Sequence, residues 1–335
     1  MKDTTLKATP IILAAAILTA LGGCEPTASQ KEPLREPKEL LTADFQAGQT
    51  LRYNFTSSRE ITVDLDATAQ TSRRGRADSD KSSESLEIIM AYTPIKIDPY
   101  GLTTIKAYCE SVKVTRSKGP NRDAVETLAG KTFTLAVGPT GKIEDYSQLD
   151  SLLKELGKKA FRANAGRGRI KEPDMIGDVV ATQWFLWHAV SSIKKPSSGV
   201  AVGQSWTSKL SIPTPMVMRK ARDVTYRLDE IRPSEKGRLA VISSSYQIAE
   251  SAPHDWPIPY SGTFQVAGAF GFYRNYQVLD LHGRGEELFN IDAGRTEQYE
   301  QQYELQLSAS LLIPLAGVNP KITIKQNLTM KLLED

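Results

Sequence analysis

Most of the chain alternates between apolar and polar residues with a period of two, which is the pattern of a half-buried β-strand. From Leu51 to Leu65 the apolar residues occupy odd positions, and polar residues fill most even positions between them. This run predicts either one long strand or two strands that turn at residues 57–59. The alternation returns from Tyr299 to Ile313 and from Ile322 to Leu332. Long one-sided strands are typical of antiparallel sheets with one packed and one solvated face.

The last two alternating segments predict an antiparallel hairpin whose connection runs through residues 314–320. A turn centred near Gly317 places Gln302 opposite Lys331. Lys331 then lies diagonal to Glu300 and Glu304, and opposite charges at such positions stabilise a sheet slightly.

Nine shorter stretches are rich in strand-forming residues and are bounded by turn-forming ones such as Pro139–Gly141. We expect each of them to form a further strand. They are Leu86–Tyr92, Leu102–Val114, Thr132–Val137, Ser205–Ile212, Val224–Ile231, Leu239–Ile248, Phe264–Phe272, Tyr276–Leu281 and Glu286–Ile291.

Two segments in the middle of the chain change to a helical period. Leucines at positions 149, 152, 153 and 156 form one apolar stripe, and Ser147 with Asp150 is a capping signal before it. After Pro173 a second helical pattern runs from about Asp174 to Ile193. The sequence therefore predicts an α+β, mainly β fold: a large curved antiparallel sheet, as a half-barrel or in two halves, with two central helices packed against it.

The chain divides into three regions. Residues 1–23 read as a signal peptide, residues 24–44 as a proline-rich tether, and residues 45–335 as a β-rich globular body. A body of about 290 residues is near the upper size for a single core. Two halves, 45–146 and 200–335, flanking a helix pair at 147–195, are therefore an alternative.

The N-terminus carries Lys2 and Lys7, then an apolar stretch from Ile11 to Leu21, then Gly22, Gly23 and Cys24. This is the plan of a signal peptide. The apolar stretch is shorter than the roughly 20 residues of a permanent transmembrane helix. The Leu-Gly-Gly-Cys end resembles the lipobox of bacterial lipoproteins. The resemblance implies cleavage between Gly23 and Cys24 and acylation of Cys24, whereas in an ordinary signal peptide Cys24 would be incidental.

The resemblance to lipoproteins also implies a location. Acylated Cys24 would hold the protein on a membrane of the cell envelope, facing the periplasm, because each buried acyl CH₂ contributes about 0.8 kcal/mol. Glu25, where inner-membrane lipoproteins of enteric bacteria carry aspartate, favours the outer membrane. With Cys24 acylated, Cys109 has no partner for an intrachain disulfide, and its alternating surroundings predict a buried thiol.

The remaining composition excludes several kinds of site. The formal net charge is +3, and +2 without the leader, so no strong field favours nucleic acid. The three histidines, His188, His254 and His282, lie far apart and without metal-ligand spacing. We therefore predict no metal, no cofactor and no catalytic residue.

Two aromatic clusters are candidate binding residues. Trp184, Trp187 and His188 lie on the second predicted helix and would line an apolar ligand in the hollow of the sheet, unless that helix simply fills the hollow. His254, Trp256 and Tyr260 lie among three prolines and would form a contact loop, or else a rigid connection.

The body itself resembles known proteins only loosely. Gly203-Gln-Ser-Trp206 is similar to the motif that opens strand regions in uncharacterised β-rich secreted bacterial lipoproteins. The layout of strands, helices and strands looks like the half-barrel of the lipoprotein carriers LolA and LolB. We therefore expect a lipid-anchored, non-enzymatic envelope protein that binds an apolar ligand, an acyl chain or a protein partner. A structural scaffold is the alternative. A hydrolase would need His188 or His282 beside a serine and a carboxylate.

Overall fold

The computed structural model describes residues 37–64, 79–118, 123–163, 169–171, 175–215, 220–251, 264–266, 273–311 and 319–334. Eleven strands form one sheet. They are β2 (Leu51–Asp64), β3 (Ser79–Ile97), β4 (Thr103–Arg116), β5 (Thr132–Val137), β6 (Ile143–Asp145), β10 (Ser205–Ser211), β11 (Ala221–Ser234), β12 (Gly237–Ile248), β14 (Tyr273–Asn290), β15 (Arg295–Leu311) and β16 (Lys321–Leu332).

Smaller elements lie beside this sheet. A two-stranded sheet joins β1 (Lys38–Glu39) to β9 (Val200–Ala201), and a three-stranded sheet contains β7 (Phe161–Ala163), β8 (Arg169–Lys171) and β13 (Phe264–Val266). The helices are α1 (Ser147–Ala160), α2 (Ile176–Phe185) and α3 (His188–Ser191), with 3₁₀ turns at Ala124–Leu128 and Pro196–Ser198.

The strand order of the large sheet is β10-β11-β12-β14-β15-β16-β2-β3-β4-β5-β6, and each neighbouring pair is antiparallel. The first and last long strands of the chain, β2 and β16, pair in its middle, which joins the strands before the helices to those after them. The prediction of an α+β, mainly β fold with a large antiparallel sheet is confirmed.

The sheet curves around the helices. Phe185 at the end of α2 lies under Arg222 of β11, with 5.4 Å between the guanidinium carbon and the ring centre. Gln183 of the same helix accepts a 2.7 Å hydrogen bond from Tyr92 of β3. Six strand spacings separate β11 from β3 in the order above, a flat distance of about 29 Å. Since one helix of about 10 Å diameter touches both, the sheet must bend around it. We call the face toward α2 the inner face, and the opposite face the outward face.

Several strand predictions need correction. Residues 57–59 do not turn, because β2 continues through them with Ser57 and Arg59 on the inner face. The stretches 276–281 and 286–291 are parts of one strand, β14, with Gly283 and Gly285 in its middle. A Cβ at Gly283 would lie 2.5 Å from Cβ of Tyr303, and one at Gly285 would lie 2.5 Å from the Tyr246 hydroxyl. Both glycines therefore make room for neighbouring tyrosines and do not end the strand.

The predicted register of the last hairpin is wrong by four residues. Gln302 lies opposite Asn327, and Lys331 lies opposite Gln298. An even shift leaves every side chain on its own face of the sheet, so the alternation cannot distinguish the two registers. The connection that fixes the register includes residues 312–318, which lie outside the described residues.

The helices also differ in detail from the prediction. The first begins at Ser147 as expected, but Asp145 accepts the Ser147 N–H at 2.8 Å, so the capping signal lies upstream. The second is not continuous to Ile193, because the chain turns at residues 186–187 between α2 and α3. Trp206 of β10 then holds α3 by donating its indole N–H to the carbonyl of Ala189 at 2.9 Å.

Candidate functional site

A row of charged side chains crosses the inner face beside the start of α2. Arg59 of β2 donates to Glu84 of β3 at 2.6 Å and to Asp178 of α2 at 2.9 Å. Glu84 also accepts from Arg116 of β4 at 3.4 Å, and Arg116 is paired with Asp123. We call these five residues the ion row.

The ion row is enclosed by protein. The Arg59 side chain is fully buried, and the side chains of Asp178, Arg116 and Asp123 are nearly so. Paired arginines hold the pKa of Glu84 below its ordinary value, although burial acts in the opposite direction. Carboxylates in such surroundings remain ionised only because each has a hydrogen-bonded cation beside it.

A second buried arginine lies in the part of the core formed by the C-terminal strands. Arg222 of β11 is fully buried, and its guanidinium carbon lies 4.3 Å from the ring centre of Tyr246 and 4.8 Å from that of Tyr303. It donates to the Gln301 side chain at 2.7 Å. Among the described residues no carboxylate pairs with it, so aromatic faces stabilise the charge instead.

Two further titratable groups lie buried in the core, and one of them, His188, is close to this arginine. Burial, helped by the positive charge of Arg222, lowers the pKa of His188 from 6.5 to about 3. Burial raises the pKa of Glu287 from 4.5 to about 8. Both side chains are therefore neutral in the folded protein near neutral pH.

The outward face carries a trough with a volume of about 1030 Å³ over a group of strands that includes β2, β3 and β4 of the ion row. It crosses six neighbouring strands from β14 to β4. Two rows of cross-strand neighbours supply its outward side chains. The first is Arg284, Gln302, Asn327, Ser58, Ser85 and Thr115, and the second is His282, Glu304, Lys325, Glu60, Ser83 and Ser117.

The inner row between them is Gly283, Tyr303, Gln326, Arg59, Glu84 and Arg116. Because side chains alternate along a strand, the β2–β4 part of the trough lies on the opposite face of the sheet from Arg59, Glu84 and Arg116 of the ion row. The packing of the ion row therefore also fixes the positions of the trough residues on those three strands.

Charge is distributed unevenly along the trough. Its β14 end carries Arg284 and His282, and His282 lies 3.1 Å from Asp280. In the middle, Lys325 lies 3.8 Å from Glu304. The β3–β4 end carries only hydroxyl side chains, Ser83, Ser85, Thr115 and Ser117. The outward side chains along the trough are all of polar or charged residue types, although aliphatic carbon forms most of the exposed lining, and Arg284 supplies a cation at the β14 end.

The predicted ligand-lining residues do not lie in this trough. Trp187 is 2% exposed and packs edge-on against Phe45 and Tyr92, at centroid distances of 5.7 and 6.0 Å. Trp184 packs against Tyr146, and His188 against Tyr226. The contacts of these residues in the described structure are those of a helix that fills the hollow of the sheet.

The other candidate residues fall elsewhere. Cys24 and Gly23 lie outside the described residues, as do His254, Trp256 and Tyr260. Cys109 is buried, as predicted, and burial raises the pKa of its thiol to about 12. Within the described ranges, no group of three metal-ligating side chains occurs. No helix in those ranges is long and apolar enough to cross a membrane.

Comparison with known proteins does not assign the chain to a family. No family model matches it, and no curated protein matches it. A solved structure of lipid–protein interactions in lipovitellin aligns over 87% of this chain and 26% of its own, with 9% identity and a TM-score of 0.41. DynF from the dynemicin biosynthesis pathway of Micromonospora chersina aligns over 93% of this chain and 94% of its own, with 7% identity and a TM-score of 0.19. Neither likeness bears on function at such scores.

Proposed function

We propose that this protein is a lipid-anchored, non-enzymatic binding protein of a bacterial cell envelope. The observation that carries the binding role is the trough, because a concavity of about 1030 Å³ across six strands is large enough for a segment of another protein. The anchor is proposed from the lipobox-like sequence that ends at Cys24. Glu25 favours the outer membrane within this proposal.

A protein partner suits the trough better than an acyl chain does. Sites for apolar ligands are lined mainly by hydrophobic and aromatic side chains. The outward side chains of this trough are hydroxyls, amides and charged groups, whereas Trp187 and His188 are packed inside the core. The cationic end at Arg284 further favours a partner segment with a carboxylate at the matching position.

Binding is favoured over hydrolysis by the surroundings of the exposed pair formed by His282 and Asp280. His282 lies 3.1 Å from Asp280, which supplies two parts of a nucleophilic triad. In the described part of the chain, no serine hydroxyl is hydrogen-bonded to His282. The nearest cross-strand neighbours of His282 are Glu304 and Gln247, neither of which is a nucleophilic hydroxyl.

The anchor is tested by metabolic labelling with an alkyne fatty acid. The wild-type protein is expected to incorporate the label and to sediment with membranes. The Cys24→Ser variant is expected to lose the label and most of its membrane association, since acyl chains supply the attachment energy. A wild-type protein that stays unlabelled would contradict the proposed acylation of Cys24. It would not bear on the proposed binding in the trough.

The trough is tested by photo-crosslinking in cells. A photoreactive side chain at Ser85 is expected to give one discrete protein adduct, whereas the same group at Lys106 gives none. Lys106 is the matched control because it is exposed on the same strand pair, β3 and β4, outside the trough. Arg284→Glu is expected to reduce the Ser85 adduct about tenfold, the effect of losing about 1.4 kcal/mol.

Equal adducts at both positions, or no adduct at Ser85, would contradict docking in the trough. An adduct whose mass increase corresponds to a small molecule would show that the trough binds a ligand other than a protein.

A further inference from the structure

Several turns between neighbouring strands lie at the same end of the eleven-stranded sheet. The β3–β4, β5–β6, β11–β12 and β14–β15 turns all lie there, because each follows a strand that runs in the same direction. We call this the turn end. The β3–β4 turn is its most apolar part, and we call residues 95–102 the hairpin tip.

The hairpin tip exposes four large apolar side chains. Tyr100 is 88% exposed and Ile95 54%, while Ile97 and Leu102 are 40% and 38% exposed. Single exposed apolar residues are ordinary, but contiguous groups of them mark contact surfaces. The tip is therefore a candidate for contact with an apolar phase or partner.

The backbone of the tip is rigid. The Asp98 carboxylate accepts the N–H groups of Tyr100 and Leu102, each at 2.8 Å. Gly101 has a positive φ of 85°, and a Cβ added to it would contact Pro139 of the adjacent β5–β6 turn. The exposed side chains are thus held outward in the free protein, and contact would require little ordering.

The N-terminal part of the described chain crosses the same end. Glu39 pairs with Arg238 at 2.9 Å beside the β11–β12 turn. The Asp44 N–H donates to Gly294 in the β14–β15 turn at 2.9 Å, and the Gly48 N–H donates to Pro94 in β3 at 2.8 Å. Residues 39–48 therefore contact two strand connections and the end of β3 on the way to β2. The chain enters the body at the turn end.

The entry point limits how far the turn end can be from the proposed anchor. Thirteen residues lie from Cys24 to the residue before Pro37. Even fully extended they span at most about 45 Å. An anchored chain therefore keeps its entry point at the turn end within about 45 Å of the anchor, a distance that allows direct contact with the membrane surface.

We propose that the hairpin tip inserts into the interfacial layer of the membrane as a second attachment point. This inference rests on the proposed anchor at Cys24. Ile95, Ile97 and Leu102 have the side chains that enter the acyl boundary, and Tyr100 is the residue type enriched at membrane interfaces. Lys96, exposed between the two isoleucines, would extend its ammonium group toward lipid phosphates.

The test uses the acylated protein reconstituted into vesicles of phosphatidylethanolamine and phosphatidylglycerol. An environment-sensitive fluorophore is attached at Pro99→Cys, which keeps all four apolar side chains, and at Lys118→Cys as the control. Lys118 is 58% exposed and follows the other end of β4. Buried Cys109 and acylated Cys24 do not compete for the label. Position 99 is expected to show a blue-shifted emission that brominated lipids quench, and position 118 neither.

Two outcomes would overturn the proposal. Emission at position 99 that matches position 118, on protein that floats with the vesicles, would show an anchored body with a solvated tip. A blue shift that brominated lipids do not quench would assign the tip to a protein contact. Failure of the proposed anchor at Cys24 can be distinguished from failure of this proposal, because an unacylated protein would lack the acyl mass and would not float with vesicles.

Discussion

Replacement of Arg59 by methionine is expected to lower the free energy of unfolding by about 3–5 kcal/mol. Methionine fills much of the space of the arginine stem, so the loss comes from the charges left behind. Asp178 would lose its cation, and Glu84 would keep only the longer 3.4 Å contact with Arg116. Urea denaturation followed by circular dichroism measures the change.

Arg52→Met is the matched control for this experiment. Arg52 lies on the same strand and forms a bidentate ion pair with Glu110, but its side chain is 36% exposed. Water screens that pair, so its removal is expected to cost about 1 kcal/mol or less. Equal losses for the two variants would show that burial of the ion row does not matter to stability.

A double replacement separates charge from packing. Adding Asp178→Asn to Arg59→Met removes the carboxylate that the first change leaves unpaired. The amide keeps a group that accepts from Ser57 and Gln326, which lie 2.7 Å from the same oxygen in the native protein. The double variant is therefore expected to lose less unfolding free energy than the two single variants lose together, because the two side chains interact directly.

Arg59 also shows where the sequence was informative and where it was not. Period-two alternation predicted the strand, and it placed residue 59 in line with Phe55 and Ile61 on the apolar face. The polar residues 57–59 nevertheless left a turn at this point as an alternative. Burial of Arg59 is tolerated only because Glu84 and Asp178 lie beside it, and they are 25 and 119 residues away along the chain. Short-range patterns carry no information about such partners.

The trough could not be predicted from the sequence for a related reason. Ser58, Ser85 and Asn327 look like ordinary solvent-facing residues of three separate strands. Only the register brings them into one row, and the register of the last hairpin was itself mispredicted by four residues. Trp187 is the opposite case: the sequence left open whether this conspicuous aromatic residue lines a ligand site or fills the hollow, and in the fold it is a core residue.

Stability is expected to fall by about 2 kcal/mol as the pH rises from 6.5 to 8, and Glu287 is the cause. Its Oε1 lies 2.7 Å from the Thr296 hydroxyl oxygen, which also lies 3.0 Å from the Leu186 carbonyl. One hydroxyl proton cannot serve both acceptors. A protonated Glu287 resolves this by donating to Thr296, which then donates to Leu186.

Whether stability rises or falls with pH depends on which state, folded or unfolded, binds more protons. Between its ordinary pKa of 4.5 and its folded pKa of about 8, Glu287 is protonated in the folded chain and ionised in the unfolded one. Raising the pH in this window favours unfolding by about 1.4 kcal/mol per pH unit. Stability from this group is complete below pH 4.5 and is lost as the pH passes through 8.

His188 acts in the opposite direction. Between its folded pKa of about 3 and its ordinary 6.5, the unfolded chain binds the extra proton, so stability rises with pH at a similar slope. The two slopes cancel from about pH 4.5 to 6.5, where their ranges overlap, and the profile is flat there. Below pH 4.5 only the His188 slope remains, so stability falls as the pH is lowered, and the lowered pKa of Glu84 adds to that loss.

Chemical denaturation at half-unit steps from pH 4 to 9 tests this profile. Glu287→Gln retains a side chain that can donate to Thr296 but cannot ionise. It is expected to abolish the decline above pH 6.5 and, because the His188 slope is then unopposed, to replace the flat range from pH 4.5 to 6.5 by a rise of stability with pH. His188→Phe is expected to extend the decline down to about pH 4.5 and to flatten the acid limb only in part. A wild-type profile that is level from pH 6.5 to 8, or a Glu287→Gln profile with the same decline, would mean that Glu287 is ionised inside the fold. Water or a cation would then have to reach it through the strands that now enclose it.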